Sequence, residues 1–471
     1  MLLYEINARL NGQRFDEVSA RQLSDYAELG FDTVWFMGVW ALSPEGTRMS
    51  KKYAPDFQGS PYAIPDYEFN PDLGDEESFK KLRKRAESQG LRLILDFIPN
   101  HLARDTPLID RHPEFFIHSN GQIREEFDED YYQHPSGRRL AHGKDPYFAG
   151  WNDTVQLDYT VKGLRDFMKN ALIRLAGLCD GVRCDMAMLV LREQIRRQWY
   201  PRVRREAFDV AMPYEFWDDA IEAAKKVNPD FRFIAEAYWD TEPKLIGLGF
   251  DFTYHKRLLD ALHKVDSPWA TVDHLRHTSE QFLNHSVNFI ENHDEDRAAA
   301  RLPKVANRRA AALVCLLPGM TLIHQGQMEG VTEKIPVQRI QPLEPHEPDT
   351  ELQDFYRDLL AIARQPMFRM GEYVFAESNI PNSVSFWRAF GKEAELVTIP
   401  IGDDPIHVPE YPYYSLPAGA DIDLSTGRVA GHGGERIATE FDDTALKLQH
   451  EDVLKAFGTL EILRVRFDAG R

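Results

Sequence analysis

A chain of 471 residues with 43% hydrophobic and 28% charged side chains has an ordinary globular composition and exceeds one domain of usual size, so a large domain with smaller ones attached is expected. A formal net charge of −19 repels nucleic-acid phosphates and anionic lipid heads and favours a neutral or cationic ligand, although acidity alone does no more than keep a protein dissolved. The three cysteines, Cys179, Cys184 and Cys315, form no CxxC pair, which argues against a disulfide framework or a zinc site.

The first residues, MLLYEINARL, lack a basic segment, a long apolar stretch and a small-residue cleavage site, so a cytoplasmic protein is expected. No run of about 18 apolar residues predicts a membrane span. Leu2 to Asn7 reads as a first strand, and Ser19 to Leu29 as a helix stopped by Gly30. FDTVWFMGVW (Phe31 to Trp40) is a buried strand, Glu77 to Gln89 a charged helix ended by Gly90, and LRLILDFIP (Leu91 to Pro99) the third strand. The helix Gly163 to Leu178 leads into GVRCDMA (Gly181 to Ala187), and Asp218 to Val227 leads into FRFIAEAYW (Phe231 to Trp239). LIGLGFDFTY (Leu245 to Tyr254) is expected as a sixth strand, followed by a helix from Lys256 to Val265 and by SVNFIENHD (Ser286 to Asp294). A helix from Arg308 to Leu317, a strand from Gly319 to His324 and a helix from Glu351 to Arg364 complete the alternation.

Eight apolar runs alternating with helices predict a parallel sheet with helical crossovers, hence an α/β fold. An open doubly wound sheet is the rival, but no GxGxxG follows the first strand. Polar residues at many strand tips favour a closed (β/α)8 barrel, with residues 1–101 and 158–370 assigned to it. Residues 102–157, rich in Pro, Gly, Asp and aromatics without helical period, read as a small domain inserted after strand 3. Residues 371–471, with SVSFWRAF, ELVTIPI and LEILRVRF between turn residues, read as an all-β C-terminal domain.

Four stretches carry chemistry: DFIPNH (Asp96 to His101), GVRCDMA, FIAEAYW (Phe233 to Trp239) and FIENHDE (Phe289 to Glu295). Each is an apolar run ending in acids, histidines or an arginine, as a barrel strand does where its C-terminal tip meets the active site. They nominate Asp185, Glu236 and Asp294 for one shared site, and two carboxyl groups are the minimum equipment for cutting a glycosidic bond. Retaining cleavage needs them about 5 to 5.5 Å apart, and adjacent strands lie about 4.8 Å apart. Arg183, two residues before Asp185, shares its strand face and is expected to hold it ionised. Ala235, Ala237, Tyr238 and Trp239 offer Glu236 an apolar wall that, with the other acids, would keep it protonated.

The four motifs, their order and their strand positions resemble the α-amylase superfamily of retaining glycoside hydrolases and transglycosidases, over residues 1 to 370 and in the layout of an insertion after strand 3 and a C-terminal β-sandwich. The resemblance implies that Asp185 is the nucleophile, Glu236 the acid/base and Asp294 the transition-state stabiliser. It implies that Arg183 is the motif arginine, that His101 and His293 contact the sugar, that Tyr62 stacks on it and that Asp96 supports the site. Tyr67 is a rival to Tyr62 in the same loop. Trp40, Tyr62, Tyr238 and Trp239 are either sugar platforms or core, with Trp239 placed to meet a leaving group because it follows the acid.

The sequence also departs from the family. Met188 and Leu189 stand where many members carry a Lys-His pair beyond the cleavage point, one of whose carbonyls also binds calcium. Asn100 matches a calcium ligand of many members, but Gln156 replaces an aspartate ligand, and the acid run EEFDED (Glu125 to Asp130) is the remaining local source of carboxylates. A structural calcium is therefore an open expectation, and no cofactor is required for the chemistry. The segment LREQIRRQWYPRVRREAFDVAMPYEFW (Leu191 to Trp217) brings Arg192, Arg196, Arg197, Arg202, Arg204 and Arg205, either as a solvated helix face or as an acceptor-side wall for a sugar, conceivably a phosphorylated one. His324 to Arg339 is a second candidate rim.

The expected function is hydrolysis of α-glucosidic bonds of an α-glucan or oligosaccharide through a covalent glycosyl-Asp intermediate. A transglycosidase or isomerase, such as a glucanotransferase or a trehalose-forming enzyme, is the alternative. The intact acids disfavour an inactive sugar-binding relative. Neither nucleic acid nor membrane is an expected partner, and oligomeric state is not legible.

Overall fold

Eight parallel strands close into a barrel in the computed structural model: β1 (Leu2–Asn7), β2 (Thr33–Met37), β3 (Arg92–Phe97), β4 (Gly181–Cys184), β5 (Arg232–Ala235), β6 (Phe252–Tyr254), β7 (Ser286–Asn288) and β8 (Met320–His324). Around the ring the order is β1-β8-β7-β6-β5-β4-β3-β2. The structure describes residues 1–10, 12–119, 128–340, 347–416, 428–429, 439–442, 445–448 and 462–468.

Strand alternation decides what each side chain faces. Leu3, Trp35, Met37, Ile94, Ile234, Tyr254, Val287 and Leu322 form the cluster inside the barrel. Their neighbours Leu2, Tyr4, Val34, Phe36, Leu93, Leu95, Val182 and Phe233 belong to the larger cluster that packs against the helices. Counting by twos from Leu3, Ile94 and Ile234 brings Glu5, Asp96 and Glu236 to the inward face. The cross-strand partners Asp96 and Arg183 put the arginine level with that acid.

The helices follow their sequence signals. Ala20–Leu29 starts at Ser19, whose side chain accepts from the Gln22 N–H, and ends at Gly30, whose φ of 101° suits glycine. Glu76–Ser88 starts with a reciprocal cap between Asp75 and Ser78. The sixth strand is shorter than expected: Glu242–Gly247 is helical, and only Phe252–Tyr254 is strand. Apolar composition does not separate a short buried helix from a strand. The break falls at Gly249, with φ of 104°, and the strand begins three residues beyond, at Phe252.

Between β3 and β4 lie two small antiparallel sheets, one pairing His101–Ala103 with Thr154–Gln156 and one pairing Tyr131–Gln133 with Arg139–Ala141. The C-terminal region is antiparallel β: β9 (Glu372–Ala376), β10 (Ser383–Phe390), β11 (Glu393–Pro400), β12 (Tyr413–Ser415), β13 (Arg428–Val429), β14 (Thr439–Asp442), β15 (Ala445–Leu448) and β16 (Leu463–Asp468). They form a five-stranded sheet, β9-β10-β11-β16-β13, and a three-stranded one, β12-β15-β14. Arg388 ties this region to the barrel's last helices through the Phe368 carbonyl at 2.7 Å. Among the described residues no helix is long and apolar enough to cross a membrane.

Candidate active site

Arg183 organises the rim. Its Nη1 donates to Asp185 Oδ1 at 3.0 Å. Its Nη2 lies 2.8 Å from Glu236 Oε2 and 4.0 Å from Asp294 Oδ2, as charge contacts rather than aligned hydrogen bonds. Nε donates to the Tyr254 hydroxyl at 3.2 Å. The guanidinium is also faced by the rings of Trp35 and Tyr62, both at 5.2 Å from their centroids. One buried cation thus touches all three candidate acids.

Glu236 is held from both sides. The Tyr238 hydroxyl donates to Oε1 at 2.7 Å, and the Met186 N–H donates to Oε2 at 2.8 Å. That N–H is aimed by a left-handed backbone at Met186, φ 42°, a conformation costly for a side chain with a Cβ. Met186 directly follows Asp185, so strain beside the candidate nucleophile fixes the candidate acid.

The charges divide unevenly. Burial, and then the Glu236 carboxylate, push Asp185 up to about 8 even though Arg183 opposes both. The expectation that Arg183 would hold Asp185 ionised is therefore corrected: the guanidinium does favour the charged form, but burial and the Glu236 carboxylate outweigh it. Desolvation at the rim works against ionising Asp294, although 43% of its side chain is exposed, and His293, 2.9 Å from its Oδ2, draws it down to about 2. Burial opposes a charged His293 as well, but Asp294 and Glu5 outweigh it and raise it to about 10. Glu5 Oε1 lies 2.5 Å from His293 Nδ1.

Tyr62 reaches the site: its ring stacks on His293 at 5.4 Å, and its hydroxyl lies 2.8 Å from His293 Nε2. Tyr67 does not; it is buried, with its hydroxyl donating to the Ile98 carbonyl. Trp40 is likewise core, its indole N–H donating to the Asp96 carbonyl at 2.9 Å. Asp96 is a brace and not a sugar contact. Its two carboxyl oxygens accept from Trp35 Nε1 at 3.1 Å and the Gly38 N–H at 3.0 Å, and burial raises it to about 6. His101 is buried beside the Tyr62 backbone, and burial lowers it to about 4, so it is neutral at physiological pH. Trp239 is 37% exposed at the rim.

Three groups escaped the sequence reading. Glu5 is a lone acid inside the apolar strand LLYEIN, a signal that could have been used. Tyr254 closes β6 and meets Arg183. Lys334, in the loop after β8, donates to the Asp294 carbonyl at 2.6 Å.

The residues around Asn100 do not fit a calcium ion. The Gln156 side-chain amide nitrogen sits 3.0 Å from Asn100 O, 3.0 Å from Asn100 Oδ1 and 3.1 Å from Leu157 O. A donor occupies the point on which the oxygens converge, and a cation cage instead needs several carboxylates there. Met188 and Leu189 are buried and belong to the core. In the EEFDED run, residues 125–127 lie outside the described residues, and Asp130 pairs with Lys144 at 2.6 Å. Among the described residues no group of three or more metal-ligating acids, histidines or cysteines occurs. The arginines of the segment after β4 are also largely satisfied within it: Arg192 binds Asp209, Arg196 and Arg197 bind Glu193, and Arg205 faces Asp209.

The α-amylase catalytic-domain family model matches residues 20–379. Among similar proteins are the α-amylase MalA of Haloarcula japonica, 26% identical over 93% of this chain, and an α-1,4-glucan:maltose-1-phosphate maltosyltransferase of Cereibacter sphaeroides, 29% identical over 51% of it. The chain spans 60% and 32% of the lengths of these two relatives. In fold it is similar to the maltogenic α-amylase AmyB of Thermotoga neapolitana, with a TM-score of 0.72, 21% identity and coverage of 99% of this chain and 98% of that one. The chain belongs to the α-amylase family of glycoside hydrolases and transferases.

Proposed function

We propose that the chain is a retaining α-glycoside hydrolase acting on α-glucosidic bonds of an α-glucan or oligosaccharide. The observation that carries this reading is the contact of one buried guanidinium with Asp185, Glu236 and Asp294 at 3.0, 2.8 and 4.0 Å. In the first step Asp185 attacks the anomeric carbon while Glu236 gives its proton to the departing glycosidic oxygen, so the proton of the acid pair has to reside on Glu236 in the substrate complex. In the second step Glu236 takes a proton from water, the water oxygen bonds to the anomeric carbon, and the ester to Asp185 breaks. Asp294 stays anionic and accepts sugar hydroxyls beside the His293 imidazolium, and such bonds strengthen as the ring distorts. Asn100 and Gln156 act as a metal-free brace next to His101.

A Glu236→Gln enzyme tests this reading. With maltosyl fluoride the first step needs no proton, whereas the second lacks its base, so a maltosyl ester should accumulate. Mass spectrometry should find it on the peptide containing Asp185. An adduct on another residue, or none with turnover intact, would refute the assignment.

A further inference from the structure

A cavity of about 290 Å³ lies on the helix side of the barrel wall. Tyr254 closes β6 among the residues inside the barrel, so its neighbour His255 points to the opposite side. His255 borders the cavity together with Asp240, Glu242 and Pro243 after β5, Arg257 in the helix Lys256–Leu262, and the stretch from His274 to Phe282. The volume is near the lower end of the ~300–1,000 Å³ of small-molecule sites. None of Asp185, Glu236 and Asp294 borders it, so it stands apart from the candidate active site.

Most polar groups of the wall are spent on one another. The Asn288 side-chain amide donates to the Pro318 carbonyl at 2.8 Å, which leaves its Oδ1 facing His255 Nδ1, also at 2.8 Å. Nδ1 therefore carries the hydrogen, and His255 Nε2 accepts from His274 Nε2 at 2.8 Å. Burial lowers His255 to about 3 and lowers His274 as well, so both rings are neutral. The Thr278 hydroxyl donates to the His274 carbonyl at 2.7 Å, and Ser279 Oγ accepts from the Phe282 N–H at 3.2 Å. His277 Nδ1 donates to the Asp273 carbonyl at 2.8 Å. Asp240 pairs with Arg257.

Glu242 is the exception. It is 6% exposed and borders the cavity. Among the described residues its carboxylate meets its own backbone N–H and no other donor. An ionised carboxylate offers about four acceptor sites, so most of its capacity is unused. Burial raises the group, and the charge of Asp240 adds to that. Asp240 and Arg257 cancel, so an ionised Glu242 is the uncompensated charge beside an open volume, and such a charge is costly without a partner. Next to it the Phe282 ring, 5.2 Å from that of His255, and Pro243 supply apolar surface.

We propose that this cavity is a binding site for a small organic cation, a primary ammonium on an apolar stem, with Glu242 as its counter-ion. The ammonium supplies the donors that the wall does not give the carboxylate, and it neutralises the one unpaired charge. The stem lies against Phe282 and Pro243, and the aromatic face of Phe282 also attracts the cation. A metal ion suits the cavity less well, since among the described residues no group of three or more ligating acids, histidines or cysteines occurs. The acidic chain as a whole, with a formal charge of −19, favours the approach of a cation. The site is independent of the glycosidase reading, because it shares no residue with the acids at the rim.

Calorimetric titration of the full chain with 2-phenylethylammonium tests the site, with 2-phenylethanol as the uncharged match. At about pH 8 a raised carboxyl is ionised and the amine keeps its proton. The ammonium should bind saturably with a Kd on the order of 1 mM, as befits a ligand of this size. The alcohol should bind about tenfold more weakly, and Glu242→Gln, which keeps the shape and removes the charge, should weaken the ammonium about tenfold. In proton NMR the His274 and His277 ring signals should move during the titration. Absence of saturable binding to the wild type would overturn the proposal, as would equal affinity for the alcohol or an unchanged affinity in Glu242→Gln. Should Glu242→Gln fail to fold, Phe282→Ala keeps the question decidable. It retains the charge and should weaken the ammonium a few-fold, and wild-type affinity in that variant would place the ligand elsewhere.

Discussion

Asp185 and Asp294 are acids of the same type at the same barrel rim, and Arg183 lies near both, yet they titrate at opposite extremes. Burial and the neighbouring Glu236 carboxylate bring Asp185 to about 8. Asp294 instead keeps 43% of its side chain exposed, and a protonated His293 backed by Glu5 brings it to about 2. The side-chain type does not set the charge; burial and the balance of surrounding charges do. One half of the site therefore stores a movable proton, and the other a fixed ion pair. That is a division of labour suited to acid/base chemistry beside a developing positive charge.

Replacing Asp185 should give the largest effect. Asp185→Asn should lower kcat by ~10⁴-fold or more, the scale of losing a nucleophile. Because the folded-state value of Asp185 lies above its unfolded one, its cost to stability appears above pH 3.8 and is complete above about 8. The variant should therefore melt no lower than wild type at pH 8, and a clear drop there would contradict a raised Asp185. Glu236→Gln comes next, with a loss of ~10²–10⁴-fold on maltoheptaose and a much smaller one in the first turnover of maltosyl fluoride. Equal losses on both would remove Glu236 from the acid role.

Glu5→Gln probes the fixed half. His293 is raised to about 10, so its stabilising charge is full below 6.5 and is lost as pH rises through 10. Without Glu5 that loss should begin at lower pH, and an NMR titration of the His293 ring should show the downward shift. An unmoved titration would mean that Asp294 alone holds the proton. The smallest expected effect is none: EDTA should leave the melting temperature unchanged, because the Gln156 amide occupies the oxygen cluster at Asn100. A drop on chelation would restore the metal.

The barrel and the rim acids were legible because strand alternation is a period of two, and the residues at strand tips inherit its parity. LIGLGFDFTY was misread because an apolar run of that length has no period that separates helix from strand. Tyr62 and Tyr67 could not be told apart along the chain. Tertiary packing decides that one stacks on His293 and the other feeds its hydroxyl to Ile98. The arginines after β4 allowed two readings, a solvated helix face and an acceptor-side wall, and four of them face Glu193 or Asp209 of the same segment. Glu5 was passed over because it stood in a strand without a motif, 288 residues from the histidine it holds.

The most direct test of the account is time-resolved proton NMR of maltoheptaose from the first turnover. Loss of α-1,4 linkages with newly formed reducing ends appearing first as the α-anomer is the predicted result, since two displacements at the anomeric carbon, through Asp185 and then water, restore its configuration. Reducing ends appearing first as the β-anomer would contradict a covalent intermediate on Asp185.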